Sequence, residues 1–298
     1  MSETIDLDHS STPSFNDLKM HLQRHLQQLS CERDPYLSGG NHRLTQQYIR
    51  STLEQYGVVE QHTFSVRGRK HTNYVLKLQP QNSAHQNRPP ILVGAHYDTV
   101  PGSPGADDNA SGVAALLEIA RYVSEHPSAY PLWCVAFDME EYGLLGSRAY
   151  ALALKRIQQP IRLMLSLEML GYCDSRPNSQ QYPVPVLKWL YPSTGDFIGL
   201  IGNPAAILDL MRLKRCVKKA GSACEWLPVP QQGKLIPDVR RSDHAPFWDL
   251  GYRAIMVTDT SFLRNPHYHK RSDRIETLNL PFMTQVCQGL MTGLTSLP

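Results

Sequence analysis

Residues 91–112 read ILVGAHYDTVPGSPGADDNASG, and this stretch decides the fold class. Its opening, Ile91 to Ala95, is too continuously apolar for a strand with one wet face and too short for a helix, so it reads as a strand buried on both sides. His96 ends it, and a loop carrying Asp98, Asp107 and Asp108 follows. A helix then starts at Ser111, which can cap it, with Val113, Leu116, Leu117, Ala120 and Val123 on its apolar side.

The same pattern recurs downstream. The apolar run Leu132 to Phe137 leads into Asp138-Met139-Glu140-Glu141, the run Ile161 to Leu167 ends in Glu168, and Ala254 to Val257 precedes a histidine-rich loop from Asn265 to Ser272. Helical spacing lies between them: one helix begins near Ser147, another runs from about Ala205 to Ala220 with a basic, solvated face, and a last one closes the chain through Leu290. Strands alternating with helices predict an α/β fold, a single three-layer α/β/α domain with a mostly parallel, mixed central sheet over residues 14–298. Upstream, Phe15, Leu18, Leu22, Leu26 and Leu29 space an amphipathic helix with Ser14 as its cap, and Leu44, Tyr48, Ile49 and Leu53 space a second. Val58 to Val66 and Thr72 to Leu78, joined by RGRKH, read as a hairpin. Gly171 to Asn203, rich in Pro, Tyr and Gly, reads as a long irregular excursion whose Tyr182, Trp189, Tyr191 and Phe197 form a wall near the site. Residues 1–13 are polar and predicted to be disordered.

Composition narrows the function classes. Thirty basic against 27 acidic residues leave a net charge of +3, too balanced to indicate nucleic acid as a partner. The N-terminal residues show no basic segment followed by an apolar one, so neither a secretory signal nor a membrane anchor is legible; the expectation is a cytoplasmic protein with no membrane partner. Six cysteines lie scattered without a paired spacing and read as reduced. The sequence is silent on oligomeric state.

In a parallel sheet covered on both faces, ligand sites gather beyond the carboxyl ends of the strands. That rule selects His96, Glu140, Glu141, Glu168, the loop of Asp107 and Asp108, and the loop of His267 and His269. Taken singly, each has an ordinary reading. A histidine at a strand end is commonly a hydrogen-bonded rim residue, and acidic residues before a helix favour its positive end. Adjacent Glu140 and Glu141 after a buried strand resist that treatment, because neighbouring carboxylates repel unless a cation is near. Imidazole and carboxylate together suit zinc or a similar divalent ion, and the set has the composition of a two-metal hydrolase.

The motifs GAHYDTVPGSPGADDNASG, FDMEEYGLLGS, LSLEMLGY, RRSDHAPFWDLGYRA and NPHYHKRSDRIETL resemble those of the bacterial leucyl aminopeptidase type of co-catalytic di-zinc exopeptidases, from about Ile91 onward. The resemblance implies a zinc-dependent exopeptidase domain holding two divalent ions, with zinc as the expected metal, and a peptide or aminoacyl compound as substrate. It implies that Asp107 bridges the ions, that Glu141 and His269 complete one and His96 and Glu168 the other, and that Glu140 is the general base. Asp98 matches the acid that orients the His96 imidazole, and a cis bond is implied between Asp107 and Asp108. His269, not His267, matches the ligand position; Asp243 and His244 match positions near the metals or the substrate. Where the best-known relatives have aspartate this chain has Glu168, and where they can place an oxyanion-stabilising tyrosine it has Val239, Arg240 and Arg241, leaving the oxyanion donor unassigned.

The function expected is a metallo-aminopeptidase. The alternatives are a glutaminyl-cyclase-like acyltransferase on the same scaffold, a carboxypeptidase or aminoacylase on the same metal site, and a degenerate relative acting as a binding module. Intact Glu140 and a full ligand set argue against the last.

Overall fold

The computed structural model describes residues 13–297, so the tail expected over 1–13 lies, Pro13 apart, outside the described residues. Helices α1 (Phe15–Leu29) and α2 (Gly39–Leu53) precede a hairpin of β1 (Val59–Val66) and β2 (Arg69–Leu78). Then follow β3 (Ile91–His96), α3 (Gly112–Glu125), β4 (Leu132–Phe137), α4 (Leu145–Arg156), β5 (Leu163–Glu168), a single turn α5 (Leu187–Leu190), β6 (Phe197–Gly202), α6 (Ile207–Lys219), β7 (Ala223–Pro228), α7 (His244–Asp249), β8 (Ala254–Thr258) and α8 (Leu280–Thr295).

All eight strands form one sheet in the order β1-β2-β4-β3-β5-β8-β6-β7. The central four, β4, β3, β5 and β8, run parallel, so their carboxyl ends share one edge. The hairpin is antiparallel and joins β4 antiparallel on one side; β8 meets β6 antiparallel on the other. The sheet is therefore mixed, with its parallel part at the centre where the predicted site residues emerge.

Continuous apolar runs are needed because each central strand feeds two cores. Ile91, Val93 and Ala95 pack on the face of α1, α3, α6 and α8, as do Leu163, Leu165, Ile255 and Val257, while Leu92, Met164, Ala254 and Met256 pack on the opposite face with Phe247 and Trp248. This is the two-residue period of a strand with both faces dry. Phe247 and Trp248 belong to α7, which lies beside α4 on that second face, completing three layers.

Several local readings change. The hairpin turn is only Arg67-Gly68, both with left-handed φ (48° and 78°), because Arg69 pairs directly with Val66; RGRKH thus belongs mostly to β2. Ser111 does not cap α3 through its side chain: its hydroxyl donates to Asp107 O (2.7 Å) and accepts from Leu170 N (2.9 Å), tying the metal loop to the end of β5. Two strands were hidden in segments read as irregular or left unassigned. β6, FIGLIG, is an apolar run diluted by the Pro- and Gly-rich residues around it, and β7 is a partly buried strand ending in Pro228. All six cysteines are free. Among the described residues, no helix is long and apolar enough to cross a membrane.

Helices α6 and α8 approach closely where α8 carries glycine. A Cβ on Gly289 would lie 2.4 Å from Val217 Cα and 2.9 Å from its nitrogen, backbone atoms that cannot rotate away. Overpacking of this kind costs about 1–3 kcal/mol, against about 1 kcal/mol gained from helix propensity. Gly289→Ala is therefore expected to lower the denaturant midpoint with an unchanged m-value; an unchanged or raised midpoint would show that the helices separate freely.

Candidate metal centre

The parallel strand ends bring His96, Glu140, Glu141 and Glu168 to one edge, and two loops complete the group with Asp108 and His269. One oxygen of Asp108 lies 3.3 Å from His96 Nε2 and the other 3.1 Å from His269 Nε2, so this carboxylate spans two imidazoles. On the His96 side, Glu168 Oε2 is 3.6 Å and Glu140 Oε2 4.0 Å from the same nitrogen; on the other, Glu141 Oε2 is 3.2 Å from His269 Nε2. Two overlapping donor groups result, His96-Glu140-Glu168 and His96-Asp108-Glu141.

The donor set fits divalent cations. Both ring nitrogens of His96, Asp108 Oδ1 and Glu141 Oε1 are buried with no hydrogen-bond partner, an arrangement that is costly unless something else satisfies them. Charge points the same way. Burial pushes the Glu140 carboxyl well above its usual range; His96 opposes this, and Glu141, Glu168 and Asp243 reinforce it. Burial and then Asp108 raise Glu141 to about 7. Asp108 is also buried, yet the facing His269 and His96 imidazoles hold it well below the usual carboxylate range. Burial would lower His269, but Asp108 and Glu141 carry it up to about 10. Imidazole nitrogens and carboxylate oxygens in this mixture are the ligands of zinc and its neighbours.

The acidic pair corrects the sequence reading: Asp108, not Asp107, lies between the two imidazoles. Asp107 does not face the cluster: its Oδ1 accepts from Gly171 N (2.9 Å) and its Oδ2 from Asn265 Nδ2 (2.7 Å). Burial, then the neighbouring Asp259, raises the Asp107 carboxyl well above its usual range. The physical reason lies in Asp273, whose two oxygens accept from Asp107 N (2.9 Å) and Asp108 N (3.1 Å). With both amides held by one carboxylate, the two side chains leave the loop on different sides, and only Asp108 reaches the imidazoles. The cis bond likewise joins Asp108 to Asn109, one residue later than expected.

Asp98 does more than orient a ligand. Its Oδ1 lies 3.4 Å from His96 Nδ1, and its two oxygens also accept from Glu140 N (3.0 Å) and Glu141 N (3.2 Å). One carboxylate thus registers the end of β3 against the turn after β4. His267 stands apart, its Nδ1 3.0 Å from Ser272 Oγ. Of the SDH motif, the serine touches the cluster: Ser242 Oγ donates to Glu168 Oε2 (2.6 Å). Asp243 is wholly buried, its carboxyl at about 7 through burial, opposed by His96; His244, lowered by burial to about 3, is a neutral ring whose Nε2 donates to Val239 O (2.8 Å).

Tyr268 escaped the sequence reading, although it sits between the two histidines that were weighed. Its ring stacks on His269 (centroids 3.7 Å apart, planes 21°), and it lines a cleft that begins at Glu168. Burial, followed by Asp108, Glu141 and Glu168, raises its phenol, so the hydroxyl keeps its proton beside the cluster. The cleft, partly open to solvent, is walled by Tyr182, Tyr191, Phe197, Leu200 and Met256. Three of the four aromatics expected as a wall are there; Trp189 is 88% exposed and is not among the lining residues.

Residues 73–292 match the model of peptidase family M28, and the chain belongs to that family. It is 37% identical over 262 residues to the uncharacterized protein YfbL of Escherichia coli K12, covering 83% of this chain and 77% of that one. It is also 37% identical over 211 residues to aminopeptidase YwaD of Bacillus subtilis, covering 67% of this chain but 39% of YwaD, so it spans well under half of that relative. Among solved structures, BSAP, a zinc aminopeptidase from Bacillus subtilis, superposes with a TM-score of 0.56 at 25% identity over 77% of this chain and 50% of that one. A glutaminyl cyclase from Porphyromonas gingivalis superposes at 0.69 with 20% identity over 96% and 99%, a likeness of fold.

The two aspartates separate by experiment. Asp108→Asn is expected to weaken divalent-metal binding by roughly ten-fold or more, the scale at which even an outer partner of a metal site acts. Asp107→Asn, changing a side chain that bonds Gly171 and Asn265 and not the imidazoles, is expected to bind metal like the parent. Equal losses in a chelator-competition titration would return Asp107 to the bridging role.

Proposed function

We propose that this chain is a zinc aminopeptidase that removes the N-terminal residue of peptides at a pair of ions. The observation that carries this reading is the Asp108 carboxylate, whose two oxygens face different imidazoles, with Glu168 on one side and Glu141 on the other. His96, Asp108 and Glu168 would hold one ion, and Asp108, Glu141 and His269 the second. When bound, zinc polarises the scissile carbonyl and makes water a nucleophile near neutral pH.

The remaining work falls to the protein's own groups. Glu140 stands beside His96 without being needed to complete either ligand set, and its raised proton affinity suits a base that takes a proton from the attacking water and delivers it to the leaving amine. Tyr268, which keeps its proton and stacks on His269, would donate to the oxygen that gains charge, the role left open by Val239, Arg240 and Arg241. Asp98 keeps both glutamates in register. The cleft beyond Glu168 takes the side chain of the residue removed, and its aromatic and aliphatic walls favour an apolar one. Glu168, Glu225 and Asp238 line it against one guanidinium, Arg241, which stands 3.6 Å from Asp238, so the lining favours a free amino group over a carboxylate.

Hydrolysis of aminoacyl anilides tests the assignment. Glu140→Gln is expected to lower kcat by roughly 10²–10⁴ while retaining zinc, and Tyr268→Phe by roughly 10²–10³ with KM little changed. Metal analysis should find two ions per chain, and a chelator should abolish turnover. Full activity in Glu140→Gln would remove Glu140 as the base, and cyclisation without cleavage on a peptide beginning with glutamine would sink the aminopeptidase reading.

A further inference from the structure

The family match begins at residue 73, yet a residue 40 positions earlier reaches the centre of the molecule. Arg33, in the connection between α1 and α2, is fully buried, and no carboxylate forms an ion pair with it among the described residues. Its donors go to backbone carbonyls instead. Nε bonds Tyr97 O (2.9 Å), Nη1 bonds Leu29 O, Cys31 O (2.9 Å) and Pro104 O (2.8 Å), and Nη2 bonds Gly105 O (3.0 Å). Its own amide donates to Thr99 Oγ1 (2.8 Å).

Tyr97, Thr99, Pro104 and Gly105 all belong to the loop between His96 and Asp108. The planar guanidinium, with donors in a rigid fork, fixes the two ends of that loop against each other. Gly105 O is shared: it also accepts from Ala110 N (3.1 Å), which closes the turn bearing Asp108. The fit is tight, since a Cβ on Gly105 would lie 2.9 Å from Arg33 Nη2 and 2.3 Å from Asp108 O. The guanidinium feels the carboxylates of Asp273, Asp108 and Asp98, which lie on or against the same loop. The next residues engage the other half of the site: Asp34 Oδ2 accepts from Tyr142 OH (2.6 Å), beside Glu141, and His42 Nε2 lies 2.8 Å from Asp138 Oδ1, two residues before Glu140.

We propose that Arg33 is a positioning residue for the metal centre, holding the loop that carries His96, Asp98 and Asp108 in ligand geometry before a cation arrives. The inference rests on the two-ion reading above. Its competitor is purely structural, because the bonds to Leu29 O and Cys31 O also finish α1. A residue that only ends a helix changes the melting temperature; one that preorganises ligands changes metal affinity as well, at temperatures where the chain is fully folded.

The full chain as Arg33→Met, Arg33→Lys and Thr99→Val distinguishes the two. Zinc dissociation constants come from chelator competition, and melting temperatures are read with and without chelator. Arg33→Met is expected to weaken zinc binding by roughly 10–100-fold, Arg33→Lys to fall between it and the parent because charge survives without the fork, and Thr99→Val to shift in the same direction. Variants that melt earlier yet bind zinc like the parent would reduce Arg33 to a helix cap and overturn the proposal. Should Arg33→Met fail to fold, parent-like zinc binding in Arg33→Lys and Thr99→Val overturns it equally. A parent chain that binds no zinc overturns the two-ion reading and this one with it, whereas zinc on the parent with unaltered variants overturns this one alone.

Discussion

Four carboxylates, Asp108, Glu140, Glu141 and Glu168, are gathered with two imidazoles at one edge of a buried sheet, and their mutual repulsion is the constraint to which the surrounding structure answers. Buried like charges raise one another's proton affinity and oppose folding unless a cation or a dense set of donors offsets them. A donor is supplied where it fixes direction: Ser242 gives its hydroxyl to one oxygen of Glu168. Atoms pointing to the middle, on His96, Asp108 and Glu141, are left without protein partners. The protein's hydrogen bonds thus hold the outside of the cluster and leave its centre unpartnered.

The scaffold makes this possible by separating the layers of support. Parallel strands deliver the side chains from four points along one edge, and their alternating faces anchor each strand in two cores, so the edge cannot slide. A further ring of carboxylates does not approach the centre at all. Asp98 and Asp273 accept from the amides of Glu140, Glu141, Asp107 and Asp108, converting backbone position into ligand position. Arg33 extends the same logic to carbonyls, and it does so from a segment that lies outside the family match.

Much of this was legible in the chain. Both-face burial leaves a plain mark, a run apolar at every position, and it disclosed the strands that carry the site. Adjacent Glu140 and Glu141, following such a run, carried a signal because neighbouring carboxylates at a buried strand end repel unless a cation is near. β6 and β7 were not legible: in β6, glycines and the irregular residues around it mask a short apolar run, and β7 lies partly exposed and ends in proline. Tyr268 was not legible, since a tyrosine in a loop has no periodicity; only the fold stacks it on His269.

The choice between Asp107 and Asp108 marks the boundary most clearly. Sequence by itself determined that an acidic loop after His96 serves a site at the strand ends, because composition and strand order are written locally. It could not determine which of two consecutive aspartates turns inward. That direction depends on Asp273, more than 160 residues away in the chain, whose carboxylate grips both amides at once, and on Gly171 and Asn265, which give Asp107 somewhere else to go. Side-chain identity is a local property, but side-chain direction in an irregular loop is set by whatever holds its backbone, and those partners come together only in the folded chain.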